Sequence, residues 1–354
     1  MSDYKFNETI LIPFERVESW SRKVYEKAGM DSQDAAVVAK IQAMADARGV
    51  YSHGIQRCPT YVKRLQIGST DPKGRPEVVS DGGAFLMVDG HNAMGQVVCD
   101  YAMRQAIERA REYGCSTVAV RGSNHIGTMA HYAMMAAEEG MIGICMTQGA
   151  GNSLAPWGGK ERLLGNNPFG YAIPANKYPT VVLDMAQSVV AAGKLDMAKT
   201  TNSSIPDSWA LDADGNPTTD PYKFYTLQPI GGYKGYGLSV ILTLMCAVLP
   251  DVPYGHNLVD LMSDSPVPQN GGQLLQVINI SKLMDPEAFK NRVDDAIEMI
   301  KQSEKKEGVS EILMPGEPEA RTYARQMENG IAYPVELIEK LADFSTKLGV
   351  EPII

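Results

Sequence analysis

MIGICMTQGAGNSLAPWGG, from Met141 to Gly159, is the stretch that decides which α/β fold this sequence can form. Its first seven residues predict a buried strand, and Gly149 and Gly151 follow that strand as glycines do in a Rossmann phosphate loop. A Rossmann loop needs a third glycine three residues later and then a helix that receives the pyrophosphate. Here the third position is Leu154, and Pro156 prevents the helix. A dinucleotide, if one binds, must therefore bind to a different α/β fold.

The segments around this stretch alternate between short apolar runs and helical patterns. The runs Phe85–Gly90 and Ser116–Gly122 predict buried strands, and Val97–Gly114 between them has the spacing of an amphipathic helix. The polar segment Asn202–Tyr225 has few apolar clusters and predicts a long ordered loop, of the kind that is often functional. The middle of the chain is therefore predicted to be α/β.

Both ends of the chain are predicted to be helical. The helical patterns cover residues 14–30, 31–49, 285–308 and 334–349. Ser32 is the predicted N-cap of the second helix, and Gly49 is predicted to follow its end. At 354 residues the chain exceeds the usual size of one hydrophobic core. We predict a helical subdomain formed by residues 1–78 together with 283–354, and an α/β core formed by residues 79–282.

Composition and charge exclude several classes of protein. The net charge of −9 disfavours nucleic acid as a partner. The segment Met1–Phe14 lacks the charge pattern of a signal peptide. The longest apolar run, Leu238–Pro250, is too short for a membrane span of about 20 residues and predicts a buried helix. The five cysteines form no C-x-x-C pair, which predicts free thiols in the cytoplasm rather than a zinc site or disulfides. They are Cys58, Cys99, Cys115, Cys145 and Cys246.

The first candidate site is YSHGIQR, Tyr51–Arg57, directly after a predicted helix. His53 can titrate near neutrality, and Ser52 or a buried acid could fix its tautomer. Gly54 allows backbone conformations that other residues avoid. Arg57 offers a forked donor that matches a carboxylate. The alternative is a polar cap with a surface ion pair.

The second candidate site is VRGSNHIGTMAHY, Val120–Tyr132. A strand that ends near its start would bring Asn124 and His125 to the carboxyl edge of the sheet, where α/β proteins place ligand-binding groups. These side chains could polarise a carbonyl or accept a proton from a hydroxyl. His131 is predicted to lie inside the following helix, and its spacing from His125 does not suit a shared metal.

The third candidate site is GGYKGYG, Gly231–Gly237, which opens the long apolar helix. Free backbone N–H groups at a helix start favour an anion, and Lys234 adds a positive charge beside them. This pattern is typical of a phosphate site. The alternative is a tight loop whose glycines permit close packing.

These three clusters, in this order, with LGNNPFGYAIPA (Leu164–Ala175) and VVLDMAQSVVAAGK (Val181–Lys194) between the second and the third, resemble the malate/L-lactate dehydrogenase family. That family lacks a Rossmann fold and includes ureidoglycolate, sulfolactate and diketogulonate oxidoreductases. The resemblance runs from about Phe14 to the tail and is densest from Ala47 to Gly255. It implies an L-sulfolactate dehydrogenase-like fold with a mixed sheet. It also implies NAD(P)-dependent hydride transfer to or from C2 of a small 2-hydroxy or 2-oxo acid, and a homodimer.

The resemblance also implies roles for individual residues. Ser52, His53, Arg57, Asn124 and His125 would form the catalytic site, with Arg57 on the substrate carboxylate and one histidine moving the proton. The cofactor would contact Asp184, Met185, Ala186, Ser188, Lys234, Gly316 and Glu317. Asp184 favours NAD, because an acid there can accept from ribose hydroxyls, whereas other family members use NADP. No metal is implied.

Two departures from the family pattern and two alternatives accompany this interpretation. Asn166 stands where the family usually has threonine in a G-T-N-P motif, and Thr128–His131 replaces smaller residues. One alternative is a non-redox protein that binds a carboxylate in the same pocket. The other is a metal-assisted hydrolase or lyase that uses His53, His125 and His131.

Overall fold

A computed structural model describes residues 8–354, so the first half of Met1–Phe14, the segment without a signal-peptide pattern, lies outside the described residues. The helices are α1 (Phe14–Lys27), α2 (Ser32–Ala47), α3 (Cys58–Gln66), α4 (Gly95–Tyr113), α5 (Met129–Glu138), α6 (Ala192–Thr200), α7 (Tyr233–Thr243), α8 (Pro286–Gln302), α9 (Glu317–Asn329) and α10 (Val335–Leu348). The strands are β1 (Thr9–Ile12), β2 (Glu77–Asp81), β3 (Phe85–Asp89), β4 (Cys115–Ser123), β5 (Ile142–Thr147), β6 (Asn152–Leu154), β7 (Leu164–Gly165), β8 (Phe169–Ile173), β9 (Val181–Met185), β10 (Ala210–Leu211), β11 (Thr226–Leu227), β12 (Gly271–Ile278) and β13 (Ile331–Pro334).

The core of the molecule is a seven-stranded mixed sheet in the order β2-β3-β4-β12-β5-β8-β9. Strands β3 and β4 run parallel and are joined by α4, while the other neighbours in this sheet run antiparallel. Side chains alternate between two faces: Val118 and Val120 pack under α4 and α5, whereas Ala119 packs toward Leu242 and Cys246. The predicted α/β fold with a mixed sheet is confirmed.

Helices and strands from the two ends of the chain pack together. Helices α1, α2 and α3 share one apolar core with β13 and α10, in which Trp20, Tyr25 and Tyr333 are fully or nearly fully buried. The sequence did not predict that the ends also pair as strands, with Thr9 opposite Pro334 and Ile12 opposite Ile331. The exact boundaries 1–78, 79–282 and 283–354 stay a prediction.

A small second sheet, β10-β11-β6-β7, lies within the predicted α/β core. It has its own apolar cluster, which includes Leu154, Leu195 and Leu227. Part of the segment Asn202–Tyr225 therefore does not form the predicted loop, because Ala210 and Leu211 pair with β11. The sequence signal was weak because this strand has only two residues.

Two local predictions were wrong. The N-cap of α2 is Asp31 rather than Ser32, because the Asp31 carboxylate accepts hydrogen bonds from the backbone N–H groups of Gln33 and Asp34. The apolar run Leu238–Pro250 is not a fully buried helix. It forms most of α7 and a following π-helical turn, Leu244–Val248, and only one side packs on the sheet. The opposite side, called the outer face of α7, exposes Leu238, Ile241, Leu244, Val248 and Leu249. Among the described residues, no helix is both long and apolar enough to cross a membrane.

Candidate active site

The turn between α2 and α3 carries the first predicted cluster. Two single 3₁₀ turns, Tyr51–His53 and Ile55–Arg57, meet at Gly54. Gly54 has an ordinary φ of −88°, so it does not use the conformational freedom that glycine allows. Space is the reason for glycine: a Cβ atom at this position would lie 1.7 Å from Oδ1 of Asp46. The turn therefore packs directly against the buried carboxyl group of Asp46.

Side chains beneath the turn hold both sides of the peptide that joins Gly54 to Ile55. The Ile55 N–H donates to Oδ2 of Asp46 at 2.9 Å, and Gln42 Nε2 donates to the Gly54 carbonyl at 3.1 Å. The Tyr333 hydroxyl also donates to Asp46 Oδ2, at 2.8 Å. Burial raises the pKa of Asp46 to about 7. Sequence reasoning missed Asp46 and Gln42, because a polar residue in an alanine-rich helix carries no signal that it faces inward.

The two predicted histidines stack on each other. The ring centroids of His53 and His125 are 5.6 Å apart, with an interplanar angle of 17°. Ser52 Oγ lies 2.8 Å from Nδ1 of His53, and Tyr61 Oη lies 2.6 Å from Nδ1 of His125. Neither Nε2 atom has a hydrogen-bond partner among residues 8–354. Both Nε2 atoms are therefore available to a substrate oxygen. Tyr61 was missed because it lies 64 positions from His125.

Both imidazoles are neutral at pH 7. Each ring keeps some accessible surface, but protein atoms surround it, and this desolvation together with the charge of Arg57 lowers the pKa of His53 to about 4. Desolvation, His53 and Arg57 lower the pKa of His125 well below its usual range. A neutral imidazole can accept a proton, so this state suits a general base.

Arg57 faces the same space as the histidines. Its Nε donates to the Ser52 carbonyl at 2.8 Å, and Nη1 lies 3.9 Å from the sulfur of Met262. The guanidinium has no ion-pair partner in the described part of the chain. It therefore remains free to bind a carboxylate through its remaining N–H groups.

Asn124 lies next to His125, but its side chain turns away from the histidine pair. Its Nδ2 donates to the carbonyls of Asn92 and Ala93, and its Oδ1 accepts from the Thr70 hydroxyl at 3.2 Å. The amide is thus occupied in holding the loop after β4. Its predicted catalytic contact with the substrate is untested, and this geometry favours a positioning function instead.

A segment of residues 258–270, called the cover loop, lies beside this site. Gln269 Oε1 accepts from the His125 N–H at 3.1 Å. Lys63 forms an ion pair with Asp264, and Arg64 on the same helix donates to loop carbonyls. The loop is therefore fastened to α3 and to the His125 backbone.

The three predicted cofactor segments meet at the edge strand β9. Oδ2 of Asp184 accepts from the Ala130 N–H at 2.8 Å, which joins β9 to the start of α5 just after the His125 loop. The Ile230 N–H donates to the Gln187 carbonyl at 2.7 Å, next to the glycine-rich loop. On the other side, the Val182 N–H donates to the Pro315 carbonyl at 3.1 Å. Asp184, Met185, Ala186 and Ser188 therefore lie between the Lys234 loop and the Gly316 turn.

The residues on either side of this segment differ in the interactions that they already make within the protein. Lys234 is exposed and has no ion-pair partner among the described residues. Gly316 has a φ of +79°, and a Cβ there would lie 2.6 Å from the Val182 carbonyl oxygen. Glu317, in contrast, forms ion pairs with Lys301 at 2.7 Å and Arg321 at 2.6 Å. Its carboxylate is engaged within the protein, and its predicted contact with the cofactor is untested.

The residues at this edge fit a polar ligand such as a dinucleotide. Both amide atoms of Gln187 and the hydroxyl of Ser188 are buried without a hydrogen-bond partner among residues 8–354. Buried polar groups are almost always satisfied, so a bound polar ligand is a physical reason for these unpaired atoms. Among residues 8–354, no group of three or more His, Cys, Asp or Glu side chains could hold a metal ion.

Comparison with known proteins identifies the family. The malate/L-lactate dehydrogenase family matches residues 12–342. The chain belongs to this family. Malate dehydrogenase of Pyrococcus horikoshii is 36% identical over 352 residues, which cover 97% of this chain and 96% of that protein. Ureidoglycolate dehydrogenase (NAD(+)) of Escherichia coli is 35% identical over 293 residues, covering 82% and 83%. The solved structure of sulfolactate dehydrogenase from Methanocaldococcus jannaschii is 35% identical, with a TM-score of 0.90, and covers 97% of this chain and 98% of that one.

These matches confirm the predicted malate/L-lactate dehydrogenase family, the sulfolactate dehydrogenase-like fold and the enzyme class, an oxidoreductase. They give no support to a non-redox carboxylate-binding protein. One departure from the family pattern, Asn166, borders the predicted cofactor segment, since its carbonyl accepts from the Gln187 N–H at 2.7 Å. The other departure includes His131, which lies in α5 and lines a groove of about 430 Å³ between α2, α4 and α5.

Proposed function

We propose that this protein is an NAD-dependent dehydrogenase of small 2-hydroxy acids and uses the stacked histidines and Arg57 for catalysis. One observation carries the assignment of residues: two neutral imidazoles present free Nε2 atoms beside an unpaired guanidinium. NAD, when bound, supplies the acceptor for the hydride that leaves C2 of the hydroxy acid.

The side chains supply orientation and proton transfer. Arg57 binds the substrate carboxylate, which directs the C2 hydroxyl toward the free Nε2 atoms of His53 and His125. One imidazole removes the hydroxyl proton, and the other hydrogen-bonds the oxygen as negative charge develops on it. Ser52 and Tyr61 hold the rings through Nδ1, and Asn124 positions the loop that carries His125.

The cofactor segment around β9 would hold the dinucleotide. Lys234 at the start of α7 suits a pyrophosphate, because the free N–H groups of a helix start and a lysine both favour an anion. The unpaired side chains of Gln187 and Ser188 would gain partners from the same ligand. Asp184, Met185, Ala186, Gly316 and Glu317 complete the proposed set, and Asp184, which accepts from the Ala130 N–H, would also accept from a ribose hydroxyl.

Substitution of the histidines tests this assignment. In His53→Ala and His125→Ala, NADH consumption with a panel of 2-oxo acids should fall at least about a hundredfold, because general-base catalysis is lost. Cofactor affinity should change little. His131→Ala removes a histidine outside the pair and serves as the control. Intact turnover in both variants would contradict the proposed site.

We further propose that two copies of this chain form a homodimer through the outer face of α7. Five apolar residues lie exposed there on one helix side, and Ile230 and Tyr233 extend the surface toward the Lys234 loop. Contiguous apolar surface of this kind is typical of a protein–protein interface. The mass in solution, measured by light scattering, should be that of a dimer. Ile241→Asp should give monomers, whereas Met299→Asp on the exposed side of α8 should not.

A cytoplasmic location is proposed from the thiols. All five cysteines are unpaired, and four of them are buried, which is typical of proteins from reducing compartments. Thiol titration of the unfolded protein, purified without reductant, should find five free thiols.

A further inference from the structure

The charges around the histidine pair restrict the substrates that fit. Two further cations, Lys63 and Arg64, lie on α3, and both are engaged in fastening the cover loop. Lys63 pairs with Asp264. The buried Arg64 donates to the carbonyls of Ser263 and Val267, at 3.2 and 3.4 Å. Arg57 is therefore the one cation left to receive an anion among the described residues that surround the histidines.

Uncharged side chains stand beside Arg57 and His125. Met262, 64% exposed, places its thioether 3.9 Å from the guanidinium. Next to His125 stand two uncharged amides: Gln269 accepts from its N–H, and Gln273 Nε2 lies 3.5 Å from the Asn124 carbonyl. The pKa values of the two histidines agree with this: besides the histidines themselves, Arg57 is the only charged side chain in the described part of the protein that shifts the pKa of either ring.

We propose that this site accepts 2-hydroxy and 2-oxo acids with a single negative charge, and that it discriminates against acids whose C3 substituent is a second carboxylate or a sulfonate. The inference rests on the proposed function and names its substrate class. Arg57 would hold the first carboxylate. A second anion would lose water against Met262 and the amides without gaining a cation, which is unfavourable. The relatives named for malate and sulfolactate act on such dianions, so this selectivity separates the chain from them.

A matched pair of substrates tests the inference. Oxaloacetate and its 4-amide, 2-oxosuccinamate, are alike at the reacting end and similar in size, and they differ by one charge. With NADH, kcat/KM should be at least tenfold higher for the amide. Met262→Lys adds a cation beside Arg57 and should shift the ratio at least tenfold toward oxaloacetate. Met262→Gln changes the same side chain without charge and should leave the ratio unshifted.

Binding separates a failure of this inference from a failure of the proposed function. Both acids are titrated calorimetrically into the protein without reduced cofactor. Preference for oxaloacetate in turnover or in binding would overturn the charge selectivity. Tighter, Arg57-dependent binding of the amide without turnover of either acid would support the selectivity and contradict the proposed dehydrogenase activity.

Discussion

Arg57 has two effects on the histidine pair, and they act at different stages of a reaction. In the free protein its positive charge helps to keep both rings neutral. A bound carboxylate would neutralise that charge, and the pKa values of the rings would then rise. Substrate binding would thus make the imidazoles better proton acceptors at the moment when a proton must be taken.

Removing the guanidinium should therefore change the titration of His53. In Arg57→Gln we expect the pKa of His53 to rise above about 4 but to stay below its ordinary value of 6.5, because desolvation is the larger cause of the shift and remains. The ring C–H resonances measure this directly by NMR, and the chain has only five histidines to assign. Lys63→Gln, which removes a cation that is paired with Asp264, should leave the titration in place. An unchanged pKa in Arg57→Gln would contradict the described electrostatics.

The turn between α2 and α3 is the element that sets the site. It brings Ser52, His53 and Arg57 to one side, while Asp46 and Gln42 fix the peptide at Gly54 from below. Precision in such a turn matters, because a displacement of about 1 Å can cost a large factor in rate. The turn is held from one side by residues of α2, and its reactive side chains lie on the opposite side.

A double-mutant cycle tests this packing of the turn against α2. Gly54→Ala should lower the free energy of unfolding by about 2–4 kcal/mol, because the new Cβ overlaps the Asp46 carboxylate. Asp46→Ala should also destabilise, because two hydrogen-bond donors lose their acceptor. In the double variant the overlap is gone, so the combined loss should be at least about 1 kcal/mol smaller than the sum. Urea unfolding at a fixed protein concentration measures all four proteins, and additive losses would contradict the close contact.

At the scale of the whole molecule, local periodicity predicted the helices at both ends and the mixed core. It did not predict the β1–β13 pairing, because two four-residue strands that lie more than 300 positions apart leave no local signal. Because α7 is apolar on all sides, its sequence did not indicate which side would be exposed. The family resemblance carried by the polar clusters implied which histidines and which arginine share one site. It could not predict their supports Asp46 and Tyr61, whose contacts exist only after folding.

The buried carboxyl group of Asp46 should also make the stability of the protein depend on pH. Its pKa is raised from an ordinary 3.8 to about 7 on folding, so the folded state binds the proton more tightly than the unfolded state does. The contribution is therefore full below about pH 4, falls as pH rises to about 7, and is then constant. The total is on the order of 4 kcal/mol.

Asp46→Asn isolates this effect, because asparagine has no proton to lose and can still accept from Ile55. The free energy of unfolding of the wild type, minus that of the variant, should decrease between pH 5 and pH 7. Guanidinium unfolding at several pH values measures it. Parallel curves for the two proteins would show that Asp46 does not titrate in this range.

The position of Trp157 affects the fluorescence of the protein. Its indole, 59% exposed, lies against Gly232 and edge-on to Tyr233, in the loop that carries Lys234. Trp20 is buried among the terminal helices, and Trp209 packs in the small-sheet cluster. Indole emission overlaps the absorption band of reduced nicotinamide, so energy transfer from Trp157 would dim its fluorescence when the reduced dinucleotide occupies the neighbouring edge. The protein thus carries its own optical reporter of occupancy, which needs neither a label nor turnover.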